Sequence, residues 1–304
     1  MPACTVVIPT FNHADELAEA LVSLVAQTFA DWEAIVVDDA STRGDAEAVV
    51  RACADPRVGY LRKPVNQGLG AARNTGIRAG SGPLIVPFDS DDRLAPEFLA
   101  HLAGVLADDP TADCVFPDFA LFGDQTGTTR YAVEDVRTLL VRQWLPGPGC
   151  MYRRSLWERA GGYSEDAALR PGNEDWDFWL AAAEGGFIAR HVDEPLYEYR
   201  ISRGSMGMRL RSVNDQTREF IFARHRALFE RYGEGSVFRA EGYQVSANSS
   251  YLRGQNRRAL RLGLRSLRLN PRNAATVGII ARSLVPSSVA NAVRRRLGRP
   301  SLGG

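Results

Sequence analysis

The sequence predicts an α/β fold with a mostly parallel central sheet flanked by helices, followed by a helical C-terminal extension. Three observations support this fold class. Short β-branched runs alternate with helical patterns through the first 200 residues, several of these runs end directly in acidic residues, and strand patterns stop beyond about residue 208. The predicted domains are therefore 1–207, the α/β domain, and 208–304, a basic and mainly helical extension.

The composition is that of an ordinary globular protein, with 45% hydrophobic and 24% charged residues in a chain of 304. The formal net charge of +1 conceals a division along the chain. Residues 1–200 contain 17 Lys and Arg against 31 Asp and Glu, whereas residues 201–304 contain 20 against 5. Such a basic region predicts contact with something anionic: a membrane face, a lipid phosphate or the acidic part of the same protein. No nucleic-acid-binding motif accompanies it, so no nucleic acid partner is expected.

The cysteines and the hydropathy pattern indicate a cytoplasmic protein. Cys4, Cys53, Cys114 and Cys150 are scattered without a C-x-x-C pair, which is typical of reduced thiols rather than of a disulfide framework or a zinc site. The N-terminus begins a strand-like run without the features of a signal peptide. No apolar stretch reaches the roughly 18 residues of a membrane-spanning helix.

The first βαβ unit predicts a polar site at one edge of the sheet. The strand 5–10 has the β-branched content of a parallel strand buried on both faces. A helix follows, and the second strand, 34–37, runs into Asp38-Asp39. In an open α/β sheet, ligands bind at the carboxyl ends of the strands, so these carboxylates are candidate binding residues.

A glycine-rich helix start follows a predicted helix near 45–54 and a strand at 58–61. The segment 66–76 contains three glycines and carries Arg73, and such a helix start can bind an anion. It has neither the P-loop Gly-Lys-Ser/Thr nor the G-x-G-x-x-G spacing of dinucleotide-binding folds. On its own it is therefore a weak signal.

The strand 84–88 ends in three carboxylates within four residues, Asp89, Asp91 and Asp92. Like charges held this close repel each other unless a cation or a hydrogen-bond network compensates them, and carboxylate oxygens are ligands of Mg²⁺ and Mn²⁺. The alternative is a solvated loop in which Asp92 caps the next helix.

The remaining patterns are less regular. A helix near 96–106 and a strand near 114–117 continue the alternation, whereas 118–142 has no clear pattern. Beyond the α/β region, helices are predicted at 214–232, 240–253 and 256–269. The last of these has three leucines on one face, Leu260, Leu264 and Leu267.

A predicted helix begins with acids and aromatic residues together. Glu174-Asp175 is followed by Trp176, Phe178 and Trp179. Acids at a helix N-terminus can simply interact with the helix dipole. The aromatic rings either stack on a sugar or pack in the core, and their spacing favours the core.

The order of these segments strongly resembles the GT-A glycosyltransferases of family 2, over roughly residues 3–205. The resemblance rests on the segments 6–12, 36–42, 66–74 and 88–92, on Arg153-Arg154 and Glu174-Asp175, and on Gly161-Gly162-Tyr163. Each segment alone is a weak match to the family, but the occurrence of all of them in the same order is a specific match. The resemblance implies the GT-A fold and a nucleotide-sugar donor.

For the donor, the resemblance implies a base pocket lined by Pro9, Thr10 and Phe11. Asp39 would accept a hydrogen bond from the base, with uracil N3–H as its natural partner, and Asp38 would support the turn. Arg73 would approach the phosphates or the ribose; the alternative is a solvated helix arginine.

For the metal, Asp89-Ser90-Asp91 matches the D-x-D of the family. The resemblance implies that Ser90 belongs to the donor site, that Asp91 binds Mn²⁺ or Mg²⁺, and that Asp89 contacts the ribose or a water on the metal. Asp92 would share one of these roles or cap the next helix. Many relatives carry a histidine shortly after a Tyr-Arg pair, but none follows Tyr199-Arg200 here. Either the metal is held by fewer protein ligands, or Arg203 supplies positive charge to the diphosphate.

For the reaction, the resemblance implies inverting transfer with Asp175 as the general base and Glu174 orienting the base or the acceptor. The donor would be a nucleoside-diphosphate sugar, a UDP-sugar by preference. The acceptor would be a glycan or a lipid-linked sugar in cell-surface polysaccharide or glycoconjugate assembly. Two rivals are an inactive sugar-nucleotide-binding or scaffold protein and a sugar nucleotidyltransferase, although the latter usually has a basic glycine-rich loop after its first strand.

The basic C-terminal region has two interpretations. The segment 289–297 would form an interfacial helix on anionic lipid, which places the protein peripherally at the inner face of the membrane. Alternatively, it forms a solvated helical cap before a disordered end at 297–304. The pattern favours the solvated cap.

Overall fold

The first unit of the chain, Met1–Arg203, is built on one mixed sheet, and the second, Gly204–Gly304, is helical in its described part. The computed structural model describes residues 1–202 and 210–285. The predicted α/β class with a helical extension is confirmed.

The strands and helices alternate through the first unit. The strands are β1 (Cys4–Thr10), β2 (Trp32–Asp38), β3 (Val58–Arg62), β4 (Leu84–Pro87), β5 (Arg93–Leu94), β6 (Cys114–Gly123), β7 (Gly127–Thr129), β8 (Met151–Arg153) and β9 (Ala189–Ile201). The helices are α1 (Ala14–Val25), α2 (Ala46–Cys53), α3 (Leu69–Ala79), α4 (Phe98–Asp108), α5 (Val136–Leu139), α6 (Arg154–Arg159) and α7 (Glu174–Gly185), with a 3₁₀ turn at Ala167–Leu169.

The sheet has the order β3-β2-β1-β4-β8-β6-β9-β5, with β7 on the edge of β6. Strands β1 to β4, β6 and β9 run in one direction, while β5, β7 and β8 run against them. β1 is central in the parallel half, and its residues are buried throughout. Because β1, β2, β3 and β4 are parallel, their carboxyl ends meet at one edge, where the acidic residues follow.

Helix α3 packs closely on the parallel strands because it has a glycine at the contact. A Cβ at Gly76 would overlap the side chain of Val7 on β1 and would lie 3.2 Å from Val37 Cγ2 on β2. The helix starts after Gly68, whose φ of +93° suits glycine. The glycine spacing of the segment 66–76 therefore serves backbone geometry and close packing.

One prediction about the first unit was wrong, and one strand was not predicted. β6 continues to Gly123, and β7 and α5 lie within 118–142, which was predicted to be irregular. Strand β9 was not predicted, although it pairs with β6 along most of its length. The reason is that β9 contains Pro195 at an irregularity in register and has mostly polar, partly exposed residues, so it shows no apolar alternation.

The second unit contains α8 (Asn214–Arg224), α9 (Arg226–Tyr232), α10 (Gly235–Leu252), α11 (Asn256–Leu269) and α12 (Ala274–Ser283). The predicted single helix at 214–232 is two helices that meet at His225, whose ψ of 28° interrupts the helical backbone.

Helix α11 has the predicted bounds, but the leucines do not form its buried face. The buried residues are mostly small and recur at helical spacing: Ala259, Leu262, Gly263 and Ser266. Leu264 is 55% exposed. A Cβ at Gly263 would lie 2.7 Å from Ile280 on α12, so close helix packing selects the small residues.

No helix in the described ranges is long and apolar enough to cross a bilayer. The predicted interfacial helix at 289–297 and the end at 297–304 lie outside the described residues.

The contact at Gly76 predicts a loss of stability on a minimal substitution. Gly76→Ala inserts a methyl group into the α3–sheet interface and should destabilise the protein by about 1–3 kcal/mol through overpacking. The matched control is Gly104→Ala on α4, where a Cβ meets nothing within 4 Å and improved helix propensity should stabilise by about 0.5–1 kcal/mol. Urea unfolding of the full chain measures both, and equal midpoints for the two variants would contradict the packing argument.

Candidate active site

The end of β1 presents a buried and an exposed residue side by side. Pro9 and Thr10 are buried, whereas the ring of Phe11 is 40% exposed. Among the described residues, no group hydrogen-bonds to Thr10 Oγ1, although this atom is buried. A buried hydroxyl of this kind is costly unless a ligand or water pairs with it.

Asp38 supports the turn after β2. Its carboxylate accepts hydrogen bonds from the Ser41 backbone N–H at 2.7 Å and from Tyr60 Oη at 2.9 Å, and it pairs with Arg62. Burial alone would raise the pKa of Asp38, but these hydrogen bonds and the charge of Arg62 outweigh it and hold the pKa below its usual value. Asp38 is thus an ionised structural residue.

Asp39 connects the end of β2 to the start of α3. Its carboxylate accepts the backbone N–H groups of Gln67 and Gly68 at 3.0 and 2.8 Å. The ammonium of Lys63 lies 3.1 Å from Asp39 Oδ1. The Asp39 side chain is 6% exposed, so its orientation is fixed at the edge of the sheet.

Arg73 joins two of the acidic clusters. Its guanidinium is 1% exposed and donates to Asp89 Oδ1 at 2.8 Å and to Glu174 Oε1 at 2.7 Å. It also lies 5.4 Å from the centre of the Tyr163 ring. The structure therefore brings the segment after β4 and the start of α7 together around one buried cation, and Arg73 is not a solvated helix arginine.

The acids after β4 have different environments. Asp92 is buried and accepts hydrogen bonds from Tyr197 Oη at 2.6 Å and from the Arg200 backbone N–H at 2.7 Å, so it fastens β9 to this segment. It does not cap α4, which begins after Glu97. Ser90 is buried between the acids.

Asp91 is the acid of this segment with the least compensation. Burial, reinforced by the charge of Asp89, raises the pKa of Asp91. Within the described ranges, its carboxylate forms no ion pair. There is also no cluster of three or more His, Cys, Asp or Glu side chains in those ranges that is arranged to hold a metal ion.

Glu174 and Asp175 begin α7 after Asn173, which has a φ of +71°. Burial, reinforced by the Asp175 charge and opposed by Arg73, raises the pKa of Glu174 to about 7. Asp175 Oδ2 accepts a hydrogen bond from Gln143 Nε2 at 2.9 Å, and a Cβ at Gly147 would overlap the same oxygen. The loop 142–150 therefore sets the position of the Asp175 carboxylate.

The three aromatic residues of α7 lie in the core. Trp176, Phe178 and Trp179 are at most 5% exposed. The indole N–H of Trp176 donates to the Leu139 carbonyl at 2.7 Å, and that of Trp179 donates to the Pro146 carbonyl at 3.0 Å. They fix α7 and the loop before β8, and the sugar-stacking alternative has no support.

Several residues of the site were not identified from the sequence. Three residues contact candidate residues that are distant in the sequence: Gln143, Lys63 and Tyr197. A local sequence pattern cannot predict such contacts. The glycines of the turn-rich loop at 144–149 were a signal, because Gly147 gives Asp175 its space. Arg203 lies outside the described residues.

Comparison with known proteins identifies the family. A sequence model described as glycosyl transferase family 2 matches residues 5–166, which is more than half of the chain. The chain is 32% identical over 200 residues to YwdF of Bacillus subtilis, an uncharacterized glycosyltransferase, covering 61% of this chain and 70% of YwdF. It is 39% identical over 102 residues to the succinoglycan biosynthesis protein ExoO of Rhizobium meliloti, covering 34% of this chain and 29% of ExoO.

Solved structures agree on the fold. S. aureus TarS 1–349 in complex with UDP-GlcNAc aligns with a TM-score of 0.64 and 18% identity, covering 98% of this chain and 93% of that one. The mannosyltransferase PcManGT from Pyrobaculum calidifontis, in complex with GDP-Man and Mn²⁺, aligns with a TM-score of 0.58 and 20% identity, covering 98% and 88%. Taken with the sheet order and the family match, these findings show that the chain belongs to glycosyl transferase family 2 and has the GT-A fold.

Proposed function

We propose that this glycosyltransferase moves a sugar, with inversion, from a nucleoside-diphosphate sugar to an acceptor hydroxyl. The observation that carries the proposal is the buried Arg73 guanidinium, which binds Asp89 and Glu174 together. It puts the D-x-D segment and the acids of α7 in one cluster at the carboxyl edge of the sheet. Complexes of TarS with UDP-GlcNAc and of PcManGT with GDP-Man support the choice of donor class.

Asp175 is the proposed general base. The acceptor hydroxyl gives its proton to the Asp175 carboxylate while its oxygen bonds to the anomeric carbon from the face opposite the diphosphate. The bond from that carbon to the diphosphate oxygen breaks, and the electron pair leaves with the diphosphate. Gln143 holds one carboxylate oxygen, so the base is oriented before the acceptor binds.

Asp91 and Asp89 are the proposed residues for a divalent cation. The donor set fits, because Mg²⁺ and Mn²⁺ bind carboxylate oxygens and Mg²⁺ commonly uses only one or two of them together with substrate phosphates. Burial, reinforced by the Asp89 charge, raises the pKa of Asp91, so a cation bound beside this carboxylate would stabilise its ionised form. A cation bound there would neutralise charge on the departing diphosphate. Asp92 supports this segment through Tyr197 rather than acting as a ligand.

The setting of the reaction is proposed to be cytoplasmic assembly of cell-surface polysaccharide or glycoconjugate. The name of the relative ExoO, a succinoglycan biosynthesis protein, supports a glycan or lipid-linked acceptor. The four free cysteines match a reducing compartment. The excess of arginine in residues 201–304 supports contact with an anionic membrane face.

Asp175→Asn separates transfer from donor binding. The amide cannot take the acceptor proton, so transfer should fall roughly a hundredfold to ten-thousandfold, while UDP affinity in calorimetry stays unchanged. The control is Glu184→Gln, which removes an exposed acid from the same helix. Unchanged transfer in Asp175→Asn would remove this residue from its proposed role.

Asp91→Asn tests the cation site. UDP and Mn²⁺ should bind in a coupled way to the native protein, and the variant should weaken the metal-dependent part of UDP binding roughly tenfold or more. Asp108→Asn, at an exposed acid of α4, should bind as the native protein does. If no nucleoside diphosphate binds the native protein at all, the proposed function is wrong.

The raised pKa of Glu174 predicts that kcat/KM depends on pH. Its pKa of about 7 means that a fall in pH through 7 protonates it and deprives Arg73 of one of its two counter-charges. kcat/KM should therefore decline on the acid side with an inflection near pH 7. In Glu174→Gln this inflection should be absent, and an identical pH profile for both proteins would contradict the assignment.

A further inference from the structure

Three residues of the parallel half occupy equivalent positions at the edge of the sheet. Phe11, Asp39 and Lys63 are each the first residue after a strand, and their strands β1, β2 and β3 are neighbours. The last paired row of these strands contains Thr10, Asp38 and Arg62. The edge of the sheet therefore has three different groups side by side: the exposed ring of Phe11, the carboxylate of Asp39 and the ammonium group of Lys63.

Lys63 is buried without a complete set of hydrogen bonds. Its side chain is 8% exposed, and its ammonium lies 3.1 Å from Asp39 Oδ1. No atom of the described residues accepts a hydrogen bond from it with acceptable geometry. An ammonium group carries three donors, and a buried donor without an acceptor is costly. The site therefore lacks a hydrogen-bond acceptor beside Asp39.

Asp39 has the opposite requirement. Its carboxylate is an acceptor only, and the two backbone N–H groups at 67 and 68 hold it without filling all its lone-pair positions. Under the proposed function, the ring nitrogen of the donor base faces this carboxylate. Asp39 and Lys63 together are therefore complementary to a base that has a ring N–H beside a carbonyl oxygen. Uracil and guanine have this arrangement.

Cytosine and adenine do not fit the same placement. We place the C4 carbonyl of uracil, or the C6 carbonyl of guanine, beside Lys63. In this orientation cytosine and adenine each present a bare ring nitrogen to Asp39 and an amino group to Lys63, so acceptor would face acceptor and donor would face donor. Buried polar groups left unpaired in this way reject a wrong ligand more strongly than a change in shape does. The exposed ring of Phe11 offers a stacking surface that any base accepts.

We propose that Lys63 is a specificity residue that donates to the base carbonyl next to the N–H bound by Asp39, so that the site selects nucleoside diphosphates of keto bases. The inference rests on the proposed function and adds a residue and a selection rule to it. Failure of this inference can be distinguished from failure of the proposed function, because a donor can bind without a contact to Lys63.

The experiment is calorimetry of the full chain with UDP, GDP, CDP and ADP in the presence of Mn²⁺. The native protein should bind UDP or GDP at least tenfold more tightly than CDP and ADP. Lys63→Met keeps the length of the side chain and removes the donors, so UDP affinity should fall by about tenfold to a hundredfold while CDP affinity does not fall. The control Arg51→Met removes a 74%-exposed cation from α2 and should leave all four affinities unchanged.

A second measurement uses the native protein alone and does not depend on the folding of a variant. A UDP analogue with sulfur in place of O4 offers Lys63 a weaker acceptor and should bind more weakly than UDP, whereas the analogue with sulfur in place of O2 is the matched control and should bind as UDP does. Equal affinity for the O4-sulfur analogue and UDP, an unchanged UDP-to-CDP ratio in Lys63→Met, or a native preference for CDP or ADP overturns the inference alone. Absence of binding by all four nucleotides overturns the proposed function with it.

Discussion

The arrangement of the site depends on one buried cation. The Arg73 guanidinium is 1% exposed and lies between Asp89 and Glu174. Without it, the buried carboxylate of Glu174 and the partly buried carboxylate of Asp89 would both lose their ion-pair partner, which is unfavourable. With it, the segment after β4 and the start of α7 have a common fixed point on α3. The close packing of α3 on the sheet at Gly76 holds that fixed point in place.

The next residue of α3 extends the same constraint to a third segment. Asn74 donates to the Tyr163 carbonyl and accepts from the Tyr163 backbone N–H and the Trp157 indole at 2.8, 3.0 and 3.1 Å. A Cβ at Gly162 would lie 3.0 Å from Asn74 Oδ1. This contact explains why a glycine directly precedes Tyr163. One turn of helix thus positions residues whose backbones are far apart in the chain.

The sequence predicted the place of the site better than its internal contacts. Parallel strands end at one edge, so acids that follow strands, such as Asp39 and Asp91, could be assigned to that edge from local pattern. Contacts such as Gln143 to Asp175 join segments whose relative placement depends on the whole fold. Strand β9 and the buried face of α11 were missed for related reasons, because polar strands and small residues at helix contacts carry little hydrophobic periodicity.

The adjacency of Arg73 and Asn74 bears on how such a site can change during evolution. A substitution at either position leaves several polar groups unpaired on other segments at once. A lineage can therefore alter this turn only by replacing its partners together. The ring of Phe11 is exposed and has no hydrogen-bonding group, so another ring that can stack on a base could replace it. We therefore expect the position of Phe11 to vary among relatives, whereas Arg73, Asn74 and their partners should change only together.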